Sequence, residues 1–253
     1  MKKRRFTLLL VLLTITIKGF SQVDTITINT KNLKIEKIQP KTNTFLVYIE
    51  KPDGTMLDIA IWERKISFST LNDEKVIVID QQWKNQEKLK TRTIKSIVNS
   101  KNFQPIYQYS KNGKGAIEAY SFLKNTIVGT DSIKNNTKKG FSINNTSKTL
   151  NWELDLETYQ MLPYKLGTAF KINFYHPGSK NMQPDFYTYS VVGEEKIKVA
   201  NENRVSCWVL KIDHNEKSSA TYWIDKKTGE TVKMLEIFGA IKRYKIQISN
   251  LIN

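Results

Sequence analysis

Alternation of apolar and polar residues with a period of two recurs through this chain, and it limits what the chain can fold into. In Thr44–Glu50 the apolar Phe45, Val47 and Ile49 share one face, because successive side chains of a strand point to opposite faces. Lys51-Pro52-Asp53-Gly54 follows as a turn, with Pro fixing φ and Gly accepting φ > 0. Leu57, Ile59 and Ile61 resume the alternation, and Ile66 and Phe68 then fall out of phase with them. The slip predicts a β-bulge near Trp62–Lys65. No stretch of helical length carries apolar residues at i, i+3, i+4 and i+7.

The pattern continues to the C-terminus. Val76–Ile79 is apolar on both faces and reads as a buried strand. Ser96–Asn99, Phe103–Tyr109 and Ala116–Leu123 follow, the last two joined by the hairpin turn Asn112-Gly113-Lys114-Gly115. Trp152, Leu154 and Leu156 alternate with Glu153, Asp155 and Glu157, predicting a strand with the carboxylates on its wet side. One helical turn is expected over Thr158–Pro163. Phe170, Ile172 and Phe174 face together, and Asp185–Val192 is aromatic-rich. Gly193-Glu194-Glu195 reads as a turn into Lys196–Ala200, Val205–Ile212 as a central strand, and Thr221–Ile224 with Thr231–Ile237 as a hairpin. The last strand is expected to bury Tyr244, Ile246 and Ile248 and to expose Arg243, Lys245 and Gln247. Some fourteen short strands with regular turns predict an all-β fold: a strongly curved antiparallel sheet, an open or half-closed barrel with few helices.

Residues 1–21 read as a signal peptide. Lys2, Lys3, Arg4 and Arg5 precede the apolar run Phe6–Ile17, and Gly19 and Ser21 place small residues before a cut at Gln22. A spanning helix needs ~20 apolar residues, and Lys18 ends this run early. A lipoprotein anchor would need a Cys after the run, and the only Cys is Cys207. The mature chain is therefore expected to be periplasmic or secreted, with no transmembrane anchor. Residues 22–253 fit a single β domain, with a weak division near 124–148, where Asn and Lys dominate and no Pro- or Ser-rich linker appears.

The leader carries five of the positive charges, so its removal lowers the net charge from +16 to +11. Arg64, Arg92, Arg204 and Arg243 are then the only arginines, and Lys supplies the rest. Nucleic-acid readers favour Arg for its bidentate fork, so no nucleic-acid partner is expected. Lys spread along strands defends edges against aggregation and suits an anionic envelope surface.

Tyr222-Trp223-Ile224-Asp225-Lys226-Lys227-Thr228-Gly229-Glu230-Thr231-Val232-Lys233-Met234 resembles the "W-I-D-x-x-T-G" hairpin of exported bacterial proteins in the domain-of-unknown-function family 3108. It is more loosely similar to LolA-type periplasmic lipoprotein carriers. Gln82-Trp83, Thr91–Ser96, Phe103-Gln104-Pro105 and Leu162-Pro163-Tyr164 with Gly167 resemble further motifs of those families in the same order. The resemblance implies a curved sheet outside the cytoplasm, which in the LolA-type carriers encloses an apolar cavity for acyl chains beneath covering helices. No such helices are read here.

Candidate chemistry is sparse. Tyr222 and Trp223 of the hairpin, with Tyr187 and Tyr189, are the candidate ligand-binding residues if their face lines a concave surface. Against this, tight-turn chemistry explains the hairpin, with Asp225 capping the turn. His176 and His214 read as turn and surface residues, since Asp213 and His214 point to opposite faces of a strand. Cys207 reads as a buried small hydrophobe. Glu153, Asp155 and Glu157 could act as paired carboxylates. No nucleophile, metal or phosphate-loop motif occurs, so no catalytic residue, metal or cofactor is assigned. The reading is an exported non-enzymatic protein binding an apolar or amphiphilic ligand, a lipid or lipoprotein segment, on its concave face. The alternatives are a structural or interaction protein of the cell envelope with no small ligand, and a hydrolase with an Asp/Glu/Tyr site. That last reading requires two or more carboxylates in one cleft.

Overall fold

The structure, a computed structural model, describes residues 23–248 except 28–29, 32, 147, 180–182 and 200–202. The leader read over 1–21 lies outside the described residues. The first strands are β1 (Val23–Ile26), β2 (Lys41–Glu50), β3 (Met56–Leu71), β4 (Glu74–Asn85) and β5 (Arg92–Asn99). β6 (Pro105–Asn112), β7 (Ile117–Phe122), β8 (Thr126–Gly129) and β9 (Ser142–Asn144) follow. β10 (Leu150–Asn151) leads through a 3-10 turn (Trp152–Leu154) into helix α1 (Asp155–Gln160). The last strands are β11 (Ala169–Tyr175), β12 (Asp185–Lys198), β13 (Arg204–Asn215), β14 (Ser218–Asp225), β15 (Thr231–Phe238) and β16 (Ile241–Gln247).

All of these strands belong to one sheet. Two antiparallel meanders, β11 to β16 and β2 to β9, join where β16 pairs with β2. β1 adds in parallel to β11, as does β10. Among the described residues the sheet does not close through hydrogen bonds. It curls until Tyr175 of β11 packs edge-on against Tyr120 and Phe122 of β7, with ring centroids 5.8 and 5.9 Å apart. This is the expected curved, unclosed sheet, and its chain neighbours pair mostly as hairpins because short turns join them.

The phase slip in β3 is real but sits earlier than the sequence predicts. Register shifts between Val47 and Ile49 of β2, opposite Leu57–Ala60 of β3, where Asp58 takes φ +50°. Beyond that bulge, Ala60 and Ile66 are both buried on the concave side. Gly193 marks a second bulge inside the continuous β12 rather than a turn.

Two further expectations fail. The stretch 152–157 is not a strand with a wet side. Asn151 accepts a hydrogen bond at 3.1 Å from the Glu153 N–H and caps a helical segment. That segment lies against the concave face, so Glu153, Asp155 and Glu157 are buried, as are Leu154 and Leu156. The last strand is also inverted, because Lys245 is only 5 % exposed while Tyr244 and Ile246 are half-buried. Tyr244 instead stacks on Tyr48 with centroids 5.0 Å apart.

The main hydrophobic cluster joins Ile66, Ile77, Ile79, Leu154, Leu156 and Tyr159 with residues of β11 to β15. The concave interior is thus filled by the chain's own helical segment. A separate cluster of Cys207, Trp223 and Val232 lies apart from it.

Candidate functional site on the concave face

β3 and β4 pair with Trp62 opposite Trp83, Arg64 opposite Gln81, Ile66 opposite Ile79 and Phe68 opposite Ile77. Spaced by two, these residues share the concave face. Their chemistry changes midway, at the step from Arg64 to Ile66.

At that step α1 is anchored by ions. The Arg64 guanidinium donates to both carboxylate oxygens of Glu157, at 3.0 Å through Nε, and to the Glu153 carbonyl at 2.9 Å. Asp155 lies 3.7 Å away. Burial alone would lower the Arg64 pKa, but Glu157 and Asp155 outweigh it and hold it above its ordinary value. Gln81 Nε2 also donates to the Glu153 carbonyl, at 2.8 Å. The Thr228-Gly229 turn braces the far end of α1. Gly229 has φ +79°, and a Cβ there would come within 2.5 Å of the Gln160 carbonyl oxygen. Asp225 caps that turn as expected, accepting from the Lys227 N–H at 2.8 Å.

Two recesses open along this face. The first, of about 630 Å³, is lined by Ile35, Ile38, Phe68, Val76 and Ile77, with Glu36 and Lys75 among its polar lining residues. Its cover is the Ile35–Lys37 turn, tied to α1 by Lys34 N–H to Met161 O at 2.9 Å and Gln160 Nε2 to Lys37 O at 2.8 Å. Phe68 is 52 % exposed.

The second recess, of about 350 Å³, is lined by Trp62, Trp83, Trp152 and Tyr222 and by charges of both signs. Trp62 and Trp83 stack with centroids 3.9 Å apart and planes 4° apart. Lys245 Nζ lies 4.8 Å over Trp62, and Arg92 lies 5.0 Å over Trp83. Arg92 pairs with Glu153 at 2.7 Å, and Arg243 pairs with Glu236. His176 and exposed His214 complete the lining, with Phe238 at the rim. Burial lowers the His176 pKa, against Glu153 and Asp155, and its ring meets Trp152 at 5.0 Å. Among the described residues no group of three or more His, Cys, Asp or Glu is placed to hold a metal ion.

The residues picked from sequence do not form one site. Tyr189 and Tyr222 are buried around Tyr159, whose hydroxyl donates to Tyr189 at 2.8 Å. Burial pushes all three phenols well above their ordinary pKa. Tyr187 packs on Trp152 at 4.7 Å. Trp223 packs in the separate cluster with Cys207 and donates its indole N–H to Glu195 at 2.6 Å. Burial pushes the Cys207 thiol up to about 12. Sequence reasoning missed Phe68, Trp62, Trp83, Arg92 and Lys245. Of the four arginines outside residues 1–21, three, Arg64, Arg92 and Arg243, meet in the second recess.

A family profile described as "Protein of unknown function (DUF3108)" matches residues 44–246. The fold is similar to a solved β-barrel-like protein of domain of unknown function DUF1849 from Brucella abortus, at 6 % identity and a TM-score of 0.50, covering 83 % of this chain and 97 % of that one. Weaker likenesses are to the hypothetical lipoprotein YmcC from Escherichia coli (16 % identity, TM-score 0.29, 83 % and 88 % covered) and to a DUF1329 family protein from Desulfovibrio piger (9 %, 0.32, 84 % and 85 %). No curated protein matches the chain in sequence.

Proposed function

The chain belongs to the DUF3108 family of proteins of unknown function, and we propose that it is an exported, non-enzymatic protein whose concave face binds an amphiphilic ligand, the apolar part entering the first recess. The observation that carries this reading is that recess: about 630 Å³ with an aliphatic wall of Ile35, Ile38, Val76 and Ile77 and a half-exposed Phe68 at its side. That volume lies within the ~300–1,000 Å³ of small-molecule sites. A ligand that covered Phe68 would remove its apolar surface from water. Export rests on the charged and apolar pattern of residues 1–21, and a lipid or a lipoprotein segment is the ligand class that suits an envelope compartment.

A hydrolytic reading meets its own precondition, since Glu153, Asp155 and Glu236 line one recess. Each of them is within ion-pair distance of an arginine. Each pairing engages one oxygen of a carboxylate that a general acid or nucleophile would present to substrate, so the binding reading is preferred.

The test is native mass spectrometry of protein purified from its host membrane fraction, beside displacement of a fluorescent apolar probe. Bound lipid that is lost in Phe68→Ser, with unchanged melting, supports the reading. Consistent absence of lipid together with probe binding indifferent to Phe68→Ser sinks it and leaves the structural role in the envelope.

A further inference from the structure

The outer, convex face of the sheet carries a groove of its own. There Tyr109 of β6 lies opposite Lys95 of β5, Lys95 opposite Asp80 of β4, and Asp80 opposite Lys65 of β3. One step along the same face Gln82 lies opposite Thr93, and Tyr107 stands two residues before Tyr109 on its strand. These residues line a groove of about 460 Å³. It shares no lining residue with either recess of the concave face. The one aliphatic residue beside it, Ile94, is buried, and by alternation with Thr93 and Lys95 its side chain points to the concave side.

Tyr107 and Tyr109 stand apart from the other aromatic side chains. Of the eleven tyrosines, nine meet another aromatic ring of the chain, as Tyr48 meets Tyr244 and Tyr159 meets Tyr189 and Tyr222. The five tryptophans are engaged by rings or by cations. Among the described residues Tyr107 and Tyr109 meet no other ring, no cation rests on them, and their hydroxyls have no hydrogen-bond partner. Both are half-buried at the groove. Two residues apart on one strand, they set two rings about 7 Å from each other on one face.

The groups around these rings select the ligand. An acyl chain would find no aliphatic wall there. A polyanion would meet the Asp80 carboxylate, which lies between the two lysines and pairs with Lys95 at 3.2 Å. A sugar suits both parts of the lining. Its C–H face stacks on the negative face of an aromatic ring, and its hydroxyls donate and accept. Lys65 donates, Asp80 accepts, and Gln82 and Thr93 do both. Among the described residues the side chains of Lys65, Gln82 and Thr93 have no partner of their own. We propose that this groove binds a carbohydrate chain, with Tyr107 and Tyr109 stacking on its sugar rings and Lys65, Asp80, Gln82 and Thr93 bonding its hydroxyls. The volume falls within the ~300–1,000 Å³ of small-ligand sites. The groove lies on the opposite face from the apolar recess, so the two sites stand or fall separately.

Titration of the protein with chitohexaose, cellohexaose and hexagalacturonate, two neutral chains and one acidic, tests this by calorimetry and by the tyrosine ring resonances at fixed ionic strength. At least one oligosaccharide is expected to saturate and to move the rings of Tyr107 and Tyr109, identified by their loss in Tyr107→Phe and Tyr109→Phe. Tyr109→Ala and Tyr107→Ala are each expected to weaken that binding about fivefold or more, as loss of one stacking ring does. The two phenylalanine variants keep the rings and are expected to bind within about threefold of wild type. Melting temperatures measured beside each titration separate lost binding from lost folding. Phe68→Ser is expected to leave the oligosaccharide affinity unchanged, so that failure here and failure of the apolar site are told apart. No saturable binding of any of the three chains, or equal binding by the double variant Tyr107→Ala with Tyr109→Ala, overturns the proposal.

Discussion

Trp62 and Phe68 lie on one face of one strand, yet they line recesses of opposite character. Around Trp62 the neighbours are Arg92, Lys245 and Glu153. Around Phe68 they are Ile35, Ile38 and Ile77. The strand does not make this difference by itself. It follows from what lies above it, because the segment Trp152–Gln160 turns Glu153, Asp155 and Glu157 toward Arg64 and Arg92 and sends Leu154, Leu156 and Tyr159 into the cluster that holds Ile66, Ile77 and Ile79. A short plug with two chemistries gives one concave face two recesses of different lining.

The contrast can be broken most forcefully at the plug. Arg64→Ala leaves Glu157 and Asp155 buried without their cation, and such losses cost about 3–5 kcal/mol. The urea midpoint should fall accordingly; a shift under about 1 kcal/mol would mean that ion pairing does not seat α1. Leu154→Ala, on the apolar side of the same segment, should cost about 3 kcal/mol through lost burial and a cavity. Its effect on the apolar recess should exceed its effect on the charged one, as read by probe affinity for the first and by the indole resonances of Trp62 and Trp83 for the second.

Gly229→Ala acts from outside the plug. The residue holds φ +79°, and the new methyl would press on the Gln160 carbonyl. A loss of about 1–3 kcal/mol is expected, visible as a lower melting temperature, and an unchanged one would show that the hairpin does not brace α1. Lys245→Met has the smallest expected effect and the opposite sign. Burial holds the Lys245 pKa below its ordinary value, with Asp155 opposing. Between that lowered value and ~10.4 the unfolded chain binds more protons than the folded one, so wild-type stability rises with pH across the window. Lys245→Met should therefore be as stable as wild type or more stable by about 1 kcal/mol at pH 7. Its advantage should shrink as pH rises toward 9.5, as measured by paired urea titrations. A constant difference would contradict the buried, unpaired ammonium.

Much of this architecture is written locally in the chain. The turns at Pro52-Asp53-Gly54 and at Asp225–Gly229 are set by residues within them, and the structure keeps both. The slip in β3 was legible as a phase change, though its place was not, because alternation records that a slip occurs and Asp58 gives no warning of its positive φ. The site was far less legible. Alternation across 152–157 reads as a half-wet strand only if one side meets water, and here both sides meet protein. Tyr189 and Tyr222 look like binding aromatics and are packed core, while Lys245 looks like a surface lysine and sits on an indole. The scarcity of arginine was the one compositional trace of the charged recess.

The sequence by itself determined strands, turns and a curved all-β sheet, since a period of two and the φ needs of Gly and Pro act over a few residues. Only the tertiary structure decided which face is enclosed, that carboxylates at 153, 155 and 157 lie inside, and that Lys245 is buried against the Trp62 indole. Those outcomes depend on partners such as Arg64 and Glu157, 93 residues apart, and the burial of a charge is settled by the groups that fold brings to it rather than by its neighbours in the chain.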